Sequence, residues 1–154
     1  MAEENKQYPK RPRIKYFSYK GSFSYFLTIC TDSKKEIFIS KEIFELVFNH
    51  LKDISNQFGF QIYAYCFMPD HLHLLVFADN EKASLKEFLK MFKQKSGYYY
   101  KQKYGHKLWQ PSFYDHVLRK EESLNTITEY ILLNPVRKGL VENYKDYPYS
   151  GLLF

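Results

Sequence analysis

Cysteine is scarce: Cys30 and Cys66 are the two in 154 residues. That is too few for a disulfide framework, and it points to a reducing cytoplasm. Glycine and proline are thin as well, six of each; no Gly/Ser linker, low-complexity tract or internal repeat breaks the chain, so residues 1–154 are expected to form one domain. Long apolar runs are missing. The longest, Ile62 to Met68, has seven residues, far short of the ~20 that span a bilayer. The opening MAEENKQYPK lacks the apolar centre of a secretory signal. Acidic residues are outnumbered, 17 against 23 Lys plus Arg, for a formal net charge of +6. These shortages exclude a membrane protein, a secreted mini-protein and a disordered chain.

Aromatic residues are plentiful: 15 Tyr, 14 Phe and one Trp. Beside a basic surplus they suit a protein that stacks bases and neutralises phosphates. An aromatic core in a basic globular domain accounts for the same composition, and composition alone leaves both open. Residues 1–16 are polar and carry Lys10, Arg11, Arg13 and Lys15; they form a basic arm, laid on phosphates or simply frayed.

Patterning predicts the elements. Ser22 to Thr31 is aromatic and β-branched, a strand. A helix opens near Ser40, with Phe44, Val47, Leu51, Ile54 and Phe58 on one stripe, and Gly59 ends it. Phe60–Met68 and His71–Ala78 read as a hairpin about Pro69-Asp70. A second helix covers Ser84 to Tyr104, a short strand Phe113 to Arg119, and a last helix is capped by Ser123 and expected to stop near Pro135. Strand, helix, two strands, helix, strand, helix is an α+β order that fits a ferredoxin-like (RRM-like) four-stranded antiparallel sheet with packed helices.

His71-Leu72-His73 opens the second hairpin strand. Alternation puts both imidazoles on one face and Leu72, Leu74 and Val76 on the other. Two adjacent imidazoles can share a divalent metal; a solvated strand face also carries such pairs. A structural zinc site is disfavoured without Cys-x-x-Cys, and a two-histidine phosphoesterase lacks its second His-x-Thr/Ser element. In the last helix, Leu124, Ile127, Thr128 and Ile131 mark the expected packing stripe, with Tyr130 and Asn134 one turn apart on a face roughly 100° away. Asn134 could complete a site of two histidines and an amide, or merely end the helix.

In the second helix Lys86, Lys90, Lys93 and Lys101 leave the core side together, with a gap at Gly97. Such a row neutralises phosphates, or is a solvated face. Tyr98, Tyr99, Tyr100 and Tyr104 could stack on unpaired bases. Trp109 and Arg137 are lesser candidates. Tyr114, two residues before His116, is a rival nucleophile–base pair, and Asp70 could orient His71.

The block YCFMPDHLHLLV resembles the HUH motif of the single-tyrosine transposases. LWQPSFYDHVLRKEESLNTITEYILLNPVRKGLV resembles the downstream block of their REP-associated branch, and FSYFLTICTDSKKEIF is similar to that family's first strand and its exit. The resemblance runs from about Tyr16 to Ser150. It implies a transposase of insertion-sequence type on the HUH endonuclease fold: a metal-dependent single-strand DNA nuclease and strand transferase acting at hairpins. It implies His71 and His73 as metal ligands, Tyr130 as the nucleophile forming a 5′-phosphotyrosine link, and Asn134 where the wider superfamily has glutamine. The cofactor expected is Mg²⁺ or Mn²⁺. The partner expected is single-stranded DNA with hairpins of repeated palindromes, bound by a monomer or homodimer in the nucleoid-associated cytoplasm, either domesticated or self-mobile. An inactive nucleic-acid-binding protein of the same fold is the alternative, and an RRM-type RNA binder does not account for the histidines and Tyr130 together.

Overall fold

The computed structural model describes residues 24–118 and 124–153, and of 114–118 the backbone alone. The elements run β1 (Ser24–Cys30), α1 (Lys41–Gln57), β2 (Phe60–Met68), β3 (His71–Ala78), α2 (Leu85–Tyr104), β4 (Tyr114–Leu118), α3 (Leu124–Arg137) and β5 (Ser150–Leu152). The strands form one sheet in the order β4-β1-β3-β2-β5, every pair antiparallel. The expected four-stranded ferredoxin-like sheet is present, with the three-residue β5 added beside β2.

Local chemistry sets the boundaries. Ser40 and Ser84 cap α1 and α2, each hydroxyl accepting a backbone N–H of the first turn, from Ile43 and Glu87 respectively, at 3.3 Å. Gly105, at φ 85°, closes α2 in the left-handed region. Helix α3 stops near Pro135 as expected, at Arg137 two residues on, with the proline inside its last turn. A proline removes one N–H bond but leaves its own carbonyl available. Here the Pro135 carbonyl accepts from Leu140 N–H at 2.9 Å and Val136 from Gly139 at 3.0 Å. Gly139, at φ 76°, closes the helix. Ser123 and the arm with Arg11 and Arg13 lie outside the described residues.

The sheet separates two cores. On one face α1 and α2 pack Phe44, Leu51, Phe88 and Phe92 against Tyr25, Leu27, Leu72 and Leu74. On the other, α3 and the segment at Tyr147 set Ile127, Tyr130 and Ile131 against Phe26, Ala64, Cys66 and Leu75. Cys30 and Cys66 are buried thiols on different strands, and burial pushes the Cys66 thiol far above its ordinary range. Among the described residues no helix is long and apolar enough to cross a membrane.

Candidate active site

The histidine pair sits on β3, the middle strand of five. Leu72, Leu74 and Val76 enter the α1/α2 core, so the period of two turns His71 and His73 toward α3. Their Nε2 atoms face each other at 3.1 Å. Both outer nitrogens are held: His71 Nδ1 lies 2.7 Å from Asp70 Oδ1, and His73 Nδ1 lies 3.0 Å from Thr28 Oγ1. Thr28 is the cross-strand partner of His73. Asp70 is fixed in turn by its carbonyl, which accepts from Thr31 N–H at 3.0 Å and from the Thr31 hydroxyl at 3.1 Å. The His71 hydrogen bond holds the Asp70 carboxyl below the usual carboxylate range, against the opposing effect of burial.

These bonds constrain the protons. An ionised Asp70 can only accept, so neutral His71 carries its hydrogen on Nδ1 and turns the Nε2 lone pair inward. Thr28 can give or take. When its hydroxyl donates to His73, the His73 Nε2–H bonds to His71. When it accepts, two lone pairs meet and a cation is needed between them. Rotation of the Thr28 hydroxyl, together with transfer of the His73 proton from Nε2 to Nδ1, thus converts a hydrogen-bonded pair into a bidentate ligand. The 3.1 Å separation matches the edge of about 3 Å between neighbouring ligands at about 2.1 Å from one ion.

Helix α3 supplies the rest. The Tyr130 ring lies 5.9 Å from the His73 ring and meets Phe26 edge-on at 5.8 Å. The Arg137 guanidinium covers it at 4.3 Å and donates to the Tyr130 carbonyl. Asn134 is 2% exposed, and among the described residues its Oδ1 has no hydrogen-bond partner. An unsatisfied buried amide oxygen costs about 1–3 kcal/mol, and a ligand that accepts this lone pair would remove that cost. One turn further on, Lys138 lines a cavity of about 330 Å³ with His71, Asp70, Lys34 and Glu36. Tyr130, Asn134 and Lys138 fall on one row at steps of four. Asn134 therefore lies between a residue touching His73 and one beside His71. Two imidazole nitrogens and an orphaned amide oxygen are a fitting donor set for a small divalent ion.

One expectation is corrected here. Tyr130 and Asn134 do not lie to the side of the packing stripe; they are its centre, buried with Ile127, Ile131 and Pro135, while Leu124 and Thr128 are half-buried at its margin. The aromatic seat made by Phe26 and His73 draws the tyrosine inward. Lys34 and Ser33 were not anticipated. Both are non-glycine residues with left-handed φ, 52° and 55°, which no sequence pattern announces. Thr28 could have been found only from the strand register.

The four lysines of α2 line one groove of about 560 Å³ against the segment 107–113. It lies on the α1/α2 face, across the sheet from Tyr130. Lys93 is committed within it, donating to the carbonyls of Gln110 at 2.7 Å and Ser112 at 3.2 Å. The tyrosines at the helix end divide, contrary to the expectation of one stacking cluster. Tyr98 borders the groove, whereas Tyr99 stacks on His50 at 5.1 Å elsewhere. Tyr100 is buried with its hydroxyl 3.2 Å from His106. Tyr104 donates to Glu42 at 2.6 Å, and that bond pushes its phenol up to about 12. Trp109 is a core residue donating to Ser96 at 2.9 Å. The Tyr114 side chain lies outside the described residues.

Comparison with known proteins agrees with this architecture. The family model described as "Transposase IS200 like" matches residues 19–134. A Haemophilus influenzae protein bearing the name of a REP-associated tyrosine transposase is 32% identical over 149 residues, covering 87% of this chain and 84% of its own. The REP-associated tyrosine transposase of Escherichia coli is 28% identical over 95 residues, and the match spans 53% of that protein. Among solved structures, a REP-associated tyrosine transposase bound to a REP hairpin superposes with TM-score 0.75 at 20% identity, over 91% of this chain and 82% of that one. The chain belongs to the IS200-like transposase family, in its branch of REP-associated tyrosine transposases.

Proposed function

We propose that this transposase is a metal-dependent single-strand DNA endonuclease and strand transferase that acts at hairpin-containing DNA through Tyr130. The observation that carries the reading is the convergence at His73, whose Nε2 faces His71 at 3.1 Å while its ring packs against Tyr130 at 5.9 Å. The REP hairpin held by the structural relative supports a hairpin as the partner here. A divalent ion, Mg²⁺ or Mn²⁺, held by His71, His73 and Asn134, would withdraw charge from the scissile phosphodiester and favour the phenolate. Asp70 and Thr28 fix the two ring planes. Arg137, above the Tyr130 ring, stabilises negative charge on a phenol whose ordinary pKa is about 10. The Tyr130 oxygen forms the new bond to phosphorus as the 3′ oxygen leaves with the bonding pair and takes up a proton. The strand is then held as a 5′-phosphotyrosyl ester. Attack by another 3′-hydroxyl reverses the exchange, so rejoining needs no nucleotide cofactor.

Tyr130→Phe tests the reading. It removes one oxygen and keeps the ring that packs on Phe26 and His73. The expected result on a labelled hairpin oligonucleotide with Mn²⁺ is complete loss of the denaturant-resistant protein–DNA adduct with binding retained. A persisting adduct would move the nucleophile to another residue, Tyr114 being the rival, and no adduct with wild type in any divalent ion would leave a binding protein of the same fold. Chelation, and His71→Ala, should likewise stop cleavage by at least about 100-fold, in the range of a lost metal ligand or its support, with an unchanged circular dichroism spectrum.

A further inference from the structure

Along α2, Lys86, Lys90, Lys93, Gly97 and Lys101 follow steps of four, three, four and four, one row about 22 Å long at 1.5 Å per residue. The row walls the 560 Å³ groove, and among the described residues no acidic side chain lines it. Gly97 interrupts the wall at its middle: a Cβ there would stand 3.8 Å from Cδ1 of Trp109. The gap therefore opens onto the indole edge, with Leu89 and Phe113 completing an apolar floor. Tyr98, 55% exposed, stands beside it. Lys93 is tied to the opposite wall, which leaves Lys86, Lys90 and Lys101 of α2, faced by Lys107, as the charged rim.

A cationic rim over an apolar floor selects among anions. Duplex DNA presents phosphates with its bases stacked away, and would leave the floor facing charge. An unpaired strand presents phosphates and naked base faces together, matching both parts. We propose that this groove is a second DNA-binding site that takes an unpaired stretch of the strand, its phosphates along Lys86, Lys90 and Lys101 and a base over the gap at Gly97. The inference rests on DNA being the substrate, but not on the chemistry of Tyr130, which lies across the sheet.

Trp109 is the one tryptophan of the chain and reports on the gap directly. With chelator present to prevent cleavage, a short oligothymidylate should change Trp109 emission in a saturable way, and a blunt duplex of equal phosphate number should do so far less. Gly97→Leu fills the gap with a better helix former, and Lys90→Gln with Lys101→Gln removes rim charge. Each should weaken oligothymidylate binding by about tenfold, the scale of one lost stacked base or two lost phosphate contacts. An indifferent tryptophan at saturation, equal response to duplex, or wild-type affinity in both variants would overturn the proposal. Normal groove binding without any adduct would instead count against Tyr130 alone.

Discussion

Asp70 serves the site twice, through its carboxylate on His71 and its carbonyl on Thr31. Because its folded-state pKa is lowered, its contribution is present above the ordinary carboxylate value of about 3.9 and is lost as pH falls through the lowered one. Asp70→Asn should therefore reduce unfolding free energy at pH 7 by less than about 1 kcal/mol, solvent screening a partly exposed group. Urea midpoints should converge with wild type once the pH has fallen below the lowered value. At this scale the histidine pair was legible, since a period of two needs only the strand assignment. Thr28 was not, because its partnership depends on the pairing of residues 45 positions apart. The orphaned oxygen of Asn134 was equally hidden, for satisfaction of a buried amide is a property of its surroundings.

Helix α3 carries Tyr130, and its closure depends on Gly139. Open space surrounds the position, so Gly139→Ala isolates the strain of a left-handed φ from any clash. The expected loss is about 1 kcal/mol, measured by denaturant unfolding. The helices were readable from apolar spacing and serine caps. The end of α3 was readable to within two residues from Pro135, while the closing role of Gly139 was not. The three residues of β5, Ser150–Leu152, offer no alternation to detect; they are a strand because β2 has an edge to accept them.

At the scale of the whole molecule, the lysine groove lies on one face of the sheet and the histidine–tyrosine site on the other. Composition gave the net charge of +6 but not this division, which follows only from the topology. Single-strand affinity should fall with salt at a logarithmic slope of about −2, three phosphates at about −0.7 each, as fluorescence titration at several ionic strengths would read. The two halves of the active site also stand on unequal foundations. Strand β3 is flanked on both sides and shares the larger core, whereas α3 rests on the smaller cluster about Phe26 and Leu75. In deuterium exchange, amides of β3 should wait for global opening while those of α3 trade through partial detachment. On warming, Tyr130, the proposed nucleophile, would leave its post while the histidines stay in place, and the proposed activity would vanish at temperatures where the sheet is still intact.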